Sequence, residues 1–163
     1  MFAVCFVCLG NICRSPLAQG VFEALVAKEG LKEQIRIASA GTGNWHVGDP
    51  PDTRMQITAR KYGIRLDNRG RQIQPADFSG FDLILAMDQT NLDVLRQICP
   101  HPREAEKLKL FRSFDPQGRG NGGLDVPDPY YGGARGFDLV FQIVDRTCPE
   151  ILEFIKDRTH LKK

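Results

Sequence analysis

The chain has 163 residues, and a make-up of 42% hydrophobic and 26% charged residues places it among globular domains rather than disordered or membrane-spanning chains. A net charge of +2, spread over scattered basic residues, leaves no footprint for nucleic acid, and no apolar stretch approaches the roughly 18 residues of a transmembrane helix. The five cysteines are an odd set that argues against a secreted disulfide framework, and no second Cys-x-x-Cys or histidine pair joins Cys5 and Cys8 to complete a metal site.

The apolar start lacks the basic opening and longer core of a signal peptide, so a cytoplasmic protein is expected. Residues 2–7, "FAVCFV", form a continuous apolar run, the pattern of a strand buried on both faces. From Pro16 the period changes: Leu17, Val21 and Leu25 fall four apart, with Ala18, Phe22 and Val26 beside them, and Ser15 stands where an N-cap would precede a first-turn proline. "IRIAS" (35–39) predicts a second strand, and a helix is expected over about 52–62. "FDLILAM" (81–87) predicts a third strand, residues 88–99 a capped helix and "LKLFRSF" (108–114) a fourth strand. The last helix is marked by Phe137, Val140, Phe141, Val144, Cys148, Ile151, Leu152 and Ile155 at three- and four-residue intervals.

Strands alternating with helices predict one α/β domain over residues 1–163, a parallel sheet with helices on both faces. Two segments resist burial: residues 40–52, which carry Trp45, and the glycine-rich residues 115–136. In open α/β sheets ligands bind beyond the carboxyl ends of the strands. Cys8, Ser39 and Asp88 each follow a predicted strand at that edge, and the loop bearing Asp128 follows the fourth.

The chemistry concentrates in the turn from Cys8 to Arg14. A turn that leaves a buried strand and enters a helix N-terminus lets successive backbone amides of Leu9, Gly10, Asn11, Ile12 and Cys13 form an anion nest, reinforced by the helix end. Gly10 permits close approach of the backbone, Asn11 tolerates left-handed φ/ψ, and Arg14 offers a fork for two phosphate oxygens. The groups that attract a phosphate also favour a thiolate, and the Ser15 hydroxyl is a further donor to it. Cys8 is therefore the expected nucleophile. A bare C-x5-R spacing fits a merely packed cysteine equally well; the strand–turn–helix setting gives it chemical meaning.

Around these residues the sequence resembles the low-molecular-weight protein tyrosine phosphatases. The stretch Val7 to Pro16 is close to that family's V-C-x-G-N-I-C-R-S-P motif. The resemblance continues through "SAGT" (39–42), Trp45, "PPD" (50–52), "RQI" (71–73), "FDLILAMD" (81–88) and "DPYYG" (128–132). It implies a four-stranded sheet of order 2-1-3-4 and a phosphocysteine intermediate on Cys8. Asp128 is implied as general acid, then as base for the water that releases phosphate. Taken alone, the Pro-Asp-Pro setting of Asp128 would suit a solvated turn as well.

The resemblance also makes Asn11 and Ser39 a hydrogen-bonded pair that shapes the loop, and Ser15 the serine that steadies the thiolate. Many family members carry a histidine in the same supporting shell, where this chain has Asn68. Trp45, Tyr130 and Tyr131 are expected as walls of the entrance, suited to a flat aryl phosphate. The implied substrate is a phosphotyrosine-containing protein and the product inorganic phosphate, with no metal, cofactor, membrane or nucleic acid, from a monomer or weak dimer.

Ile12 and the tyrosine pair separate this sequence from related protein-arginine phosphatases, which tend to have threonine at the former position. Cys13 adds a possible disulfide partner for an oxidised Cys8. Arsenate reductase is the other alternative, but Ala86 stands where some relatives have cysteine, and Cys99 alone does not rebuild their thiol relay.

Overall fold

The apolar run at the chain start becomes the middle of a parallel sheet. β1 (Phe2–Cys8) pairs with β2 (Ile35–Gly41) on one side and β3 (Leu83–Ala86) on the other, and β4 (Leu108–Leu110) completes the order β2-β1-β3-β4. The computed structural model describes residues 1–118 and 123–161. A strand paired on both edges and covered on both faces has no polar side, which explains the unbroken apolar sequence of β1.

Side-chain alternation divides β1 between two cores. Val4, Phe6 and Cys8 meet Leu17, Phe22 and Val26 of α1 (Arg14–Lys28) and Phe137, Val140 and Val144 of α4 (Ala134–Thr159). Ala3, Cys5 and Val7 meet Leu92 and Leu95 of α3 (Gln89–Ile98) on the opposite face. The short helix α2 (Thr53–Lys61) lies against α4. The result is the single α/β domain with helices on both faces that the sequence predicts. Among the described residues no helix is long and apolar enough to cross a membrane.

The boundaries differ from the sequence reading at three places. The fourth strand stops at Leu110, and Phe111–Phe114 coil into a 3₁₀ turn. Its neighbour β3 offers only Ile84 to Ala86 for pairing, and Phe111 turns fully into the core, edge-on to Phe6 at 5.9 Å between ring centres. Ser39 does not follow β2 but lies inside it, opposite Phe6, because the strand continues to Gly41. α1 starts at Arg14 with Cys13 in the cap position, so Ser15 is no N-cap; its hydroxyl is used in the site instead.

Candidate active site

The turn after β1 gets its shape from bonds made outside it. The carbonyls of Cys8, Leu9 and Ile12 accept from the amides of Thr42, Gly43 and Asp52 at 2.9, 2.9 and 2.8 Å, and that of Cys13 from Leu17 at 3.2 Å. In a planar trans peptide, the carbonyl of one residue and the amide of the next point opposite ways. Turning these carbonyls outward therefore aims the amides of Leu9, Gly10, Cys13 and Arg14 toward the centre of the loop, as an anion nest requires. Asn11 takes the left-handed conformation at φ 57° that closes the turn. The loop presses so tightly on β2 that a Cβ on Gly41 would stand 2.7 Å from the Leu9 carbonyl oxygen. One on Gly10 would stand 3.1 Å from the His46 ring.

Beneath the loop runs a chain of hydrogen-bonded polar side chains. Asn11 Oδ1 accepts from the Arg71 amide at 3.1 Å, so its Nδ2 is the atom facing Ser15 Oγ at 2.8 Å and Ser39 Oγ at 3.0 Å. Ser15 Oγ accepts from Asn11 and so keeps its own proton to donate, with Cys8 Sγ at 3.0 Å and the Ala40 carbonyl at 3.4 Å within reach. Ser39 in turn donates to Gln19 Oε1 at 2.5 Å, and Gln19 Nε2 donates to Glu23 Oε1 at 2.9 Å. Asn11, Ser15 and Ser39 are all buried.

Arg14, 3% exposed, is aimed by two acceptors on Nη1: Asp88 Oδ2 at 2.7 Å and the Val126 carbonyl at 3.0 Å. Its Nη2 reaches Asp128 Oδ2 at 3.5 Å. Burial works against the guanidinium charge, but the Cys8 sulfur and the Asp88 and Asp128 carboxylates outweigh it and hold Arg14 protonated. The Tyr130 amide donates to Asp128 Oδ1 at 3.0 Å and ties the carboxylate to its own turn.

Around this floor opens a cleft of about 400 Å³, lined by the loop, Asp128, Trp45, His46, Tyr130 and Tyr131. The two tyrosine rings meet edge to face at 4.9 Å, and the Arg54 guanidinium lies 5.3 Å from the Tyr130 ring centre. Three of the other thiols are poorly suited to attack. Burial, with Asp52, Cys8 and Asp128 adding, pushes the Cys13 thiol far above its usual range. Burial lifts Cys5 to about 12 and raises Cys148 as well. Cys8 and Cys13 are both free thiols.

The structure thus gathers Cys8, Leu9, Gly10, Ile12, Cys13, Arg14, Asp128, Trp45, Tyr130 and Tyr131 at one cleft, with Asn11, Ser15 and Ser39 directly behind it. Asn68 departs from the expectation. Its Nδ2 is buried without a hydrogen-bond partner, while Gln19 takes the proton of Ser39. The sequence reading missed Gln19 because it looks like any polar residue on a helix. It placed Asp88 at this edge without seeing its bond to Arg14, and it passed over His46 beside Trp45; a chemistry-bearing residue directly after a strand is the signal that was available for Asp88.

Fold and site together define an α/β protein with a cysteine, a tight turn and a buried arginine gathered at the carboxyl edge of its parallel sheet. A sequence model described as low molecular weight phosphotyrosine protein phosphatase matches residues 3–161, and the chain belongs to that family of hydrolases. A low molecular weight protein-tyrosine-phosphatase of Streptomyces coelicolor is 44% identical over 157 residues, covering 96% of this chain and 95% of that protein. The crystal structure of a protein tyrosine phosphatase from Entamoeba histolytica superposes with a TM-score of 0.91 at 34% identity, covering 97% and 99% of the two chains. A Drosophila arginine phosphatase superposes with a TM-score of 0.85 at 33% identity, covering 94% and 97% of the two chains.

Proposed function

We propose that the protein hydrolyses phosphotyrosine in protein substrates through a phosphocysteine on Cys8. The observation that carries this reading is the placement of three groups on one cleft floor: Cys8 Sγ at 3.0 Å from Ser15 Oγ, Arg14 pinned by Asp88 and Val126, and Asp128 at 3.5 Å from Arg14. The phosphate dianion sits among the inward amides and the guanidinium, which stabilise the charge on its equatorial oxygens as the phosphorus moves. The Cys8 thiolate attacks phosphorus opposite the tyrosyl oxygen. Asp128, protonated, gives its proton to that oxygen as the P–O bond breaks, and phenol leaves. As carboxylate, Asp128 then takes a proton from the water that attacks the phosphocysteine, and sulfur departs as the thiolate that Ser15 receives.

Tyrosine is favoured by the walls. Trp45, Tyr130 and Tyr131 form an aromatic entrance, and Ile12 supplies an apolar contact in the same cleft. Hydrolysis of phosphotyrosine and phosphoarginine peptides in parallel tests the substrate class. Acid quench of a reaction with an aryl phosphate, followed by mass spectrometry, tests the mechanism. The expected result is phosphate on Cys8 and a clear preference for phosphotyrosine. No labelled Cys8 on Asp128→Ala, in which breakdown of the intermediate is slowed, would refute the covalent route. Thioredoxin-dependent turnover of arsenate would point to the reductase alternative.

A further inference from the structure

Asp128 sits in Pro127-Asp128-Pro129, and neither proline has an amide hydrogen to anchor its own position. Beyond the Tyr130 amide and Arg14, which hold its carboxylate, the placement of the acid depends on the residues just upstream. There the chain is tied three ways to the sheet edge. Val126 N donates to the Met87 carbonyl at 2.7 Å, the Gln89 amide donates to Asp125 Oδ1 at 2.8 Å, and Arg14 takes the Val126 carbonyl. A fourth tie comes from a different part of the fold. Arg112, in the 3₁₀ turn after β4, donates through Nη1 to the Asp125 carbonyl at 2.9 Å.

Arg112 is itself aimed. Its Nε donates to Asp115 Oδ2 at 3.0 Å, and the Asp115 side chain is fully buried. The same carboxylate takes Arg146 of α4 in a fork at 2.8 and 3.0 Å and the Gln117 amide at 2.9 Å. A buried anion held by the longest helix leaves Arg112 little freedom, and an arginine fork suits such a fixed bridge.

We propose that Arg112 is a positioning residue for the proton transfer from Asp128, acting through the Asp125 carbonyl. The inference rests on the acid role of Asp128. Loosening the Asp125 anchor shifts the carboxyl relative to the leaving oxygen, and small misplacements cost rate steeply where a proton must move in the transition state. The loss grows as the leaving phenol becomes more basic, because an acidic phenol leaves with little help.

The test is kcat/KM for wild type, Arg112→Met, Arg112→Lys and Asp128→Ala across aryl phosphates of graded leaving-group basicity. Asp128→Ala is expected to steepen the dependence most. Arg112→Met is expected to lose roughly tenfold on phenyl phosphate and less than about threefold on 4-nitrophenyl phosphate. Arg112→Lys keeps a cation beside Asp115 and recovers part of that loss. Thermal melting checks that each variant is folded; should Arg112→Met fail to fold, the smaller steepening in Arg112→Lys carries the test. Equal losses on all substrates, or none, in the presence of a steepened Asp128→Ala overturn the positioning role alone. A flat Asp128→Ala removes the acid role and the proposal with it.

Discussion

Replacing Gln19 by leucine isolates the far end of the polar chain behind the phosphate loop. The substitution keeps a good helix former on α1 and removes the acceptor that Ser39 Oγ meets at 2.5 Å. Ser39 is 5% exposed and already accepts from Asn11, so its proton is left without a partner. An orphaned buried donor costs about 1–3 kcal/mol. Part of that cost falls on fold stability, with a melting temperature lower by roughly 2–8 °C for a chain of this size. Part falls on Asn11, whose left-handed backbone is held through the same side chain, so kcat/KM is expected to drop about fivefold. Calorimetry and steady-state kinetics on Gln19→Leu, Ser39→Ala and the double variant separate these effects. With Ser39 already alanine, the leucine has no donor to orphan, so the cycle is expected to give a coupling energy of about 1 kcal/mol. Strictly additive effects, or a Gln19→Leu protein indistinguishable from wild type, would refute the reasoning.

Asp88→Asn keeps the N-cap of α3, where Asp88 Oδ1 takes the Asn91 amide at 2.7 Å, but removes the charge paired with buried Arg14; phosphate inhibition should weaken by about tenfold with the fold retained, as read by competitive inhibition constants. Burial opposes ionisation of Asp115, but Arg146, the Gln117 amide and Arg112 outweigh it and hold the carboxyl below its usual range. Its folded value thus lies below the unfolded one, so the cluster stabilises the fold above about pH 4 and the contribution is lost as the pH falls through the folded value. Asp115→Asn should cost about 3 kcal/mol at neutral pH in denaturant unfolding and flatten the acid limb of stability against pH. Trp45 is 69% exposed and packs little in the free protein, so Trp45→Ala should leave the melting temperature within about 1 °C while raising KM for a phosphotyrosine peptide several-fold.

The sequence by itself determined the main elements and singled out Cys8 as the candidate nucleophile. A doubly buried strand must be apolar throughout, an amphipathic helix must repeat every three to four residues, and a Cys-x5-Arg turn between them has few uses other than holding an anion. Each of these is a local constraint, written in neighbouring residues, and so it can be read along the chain. Tertiary structure decided what depends on distant partners. Whether residues 111–114 continue a strand was settled by the shortness of β3 and the burial of Phe111 in the core. That Gln19 supports Ser39 was settled by which side chain lies within hydrogen-bond reach of β2. Arg14 is aimed by residues 74 and 112 positions away, and the segment just before Asp128 is held at Asp125 and Val126 by Arg112, Gln89 and Met87. Hydrogen bonds act over about 3 Å of space whatever the separation along the chain, so only the folded chain brings such partners together.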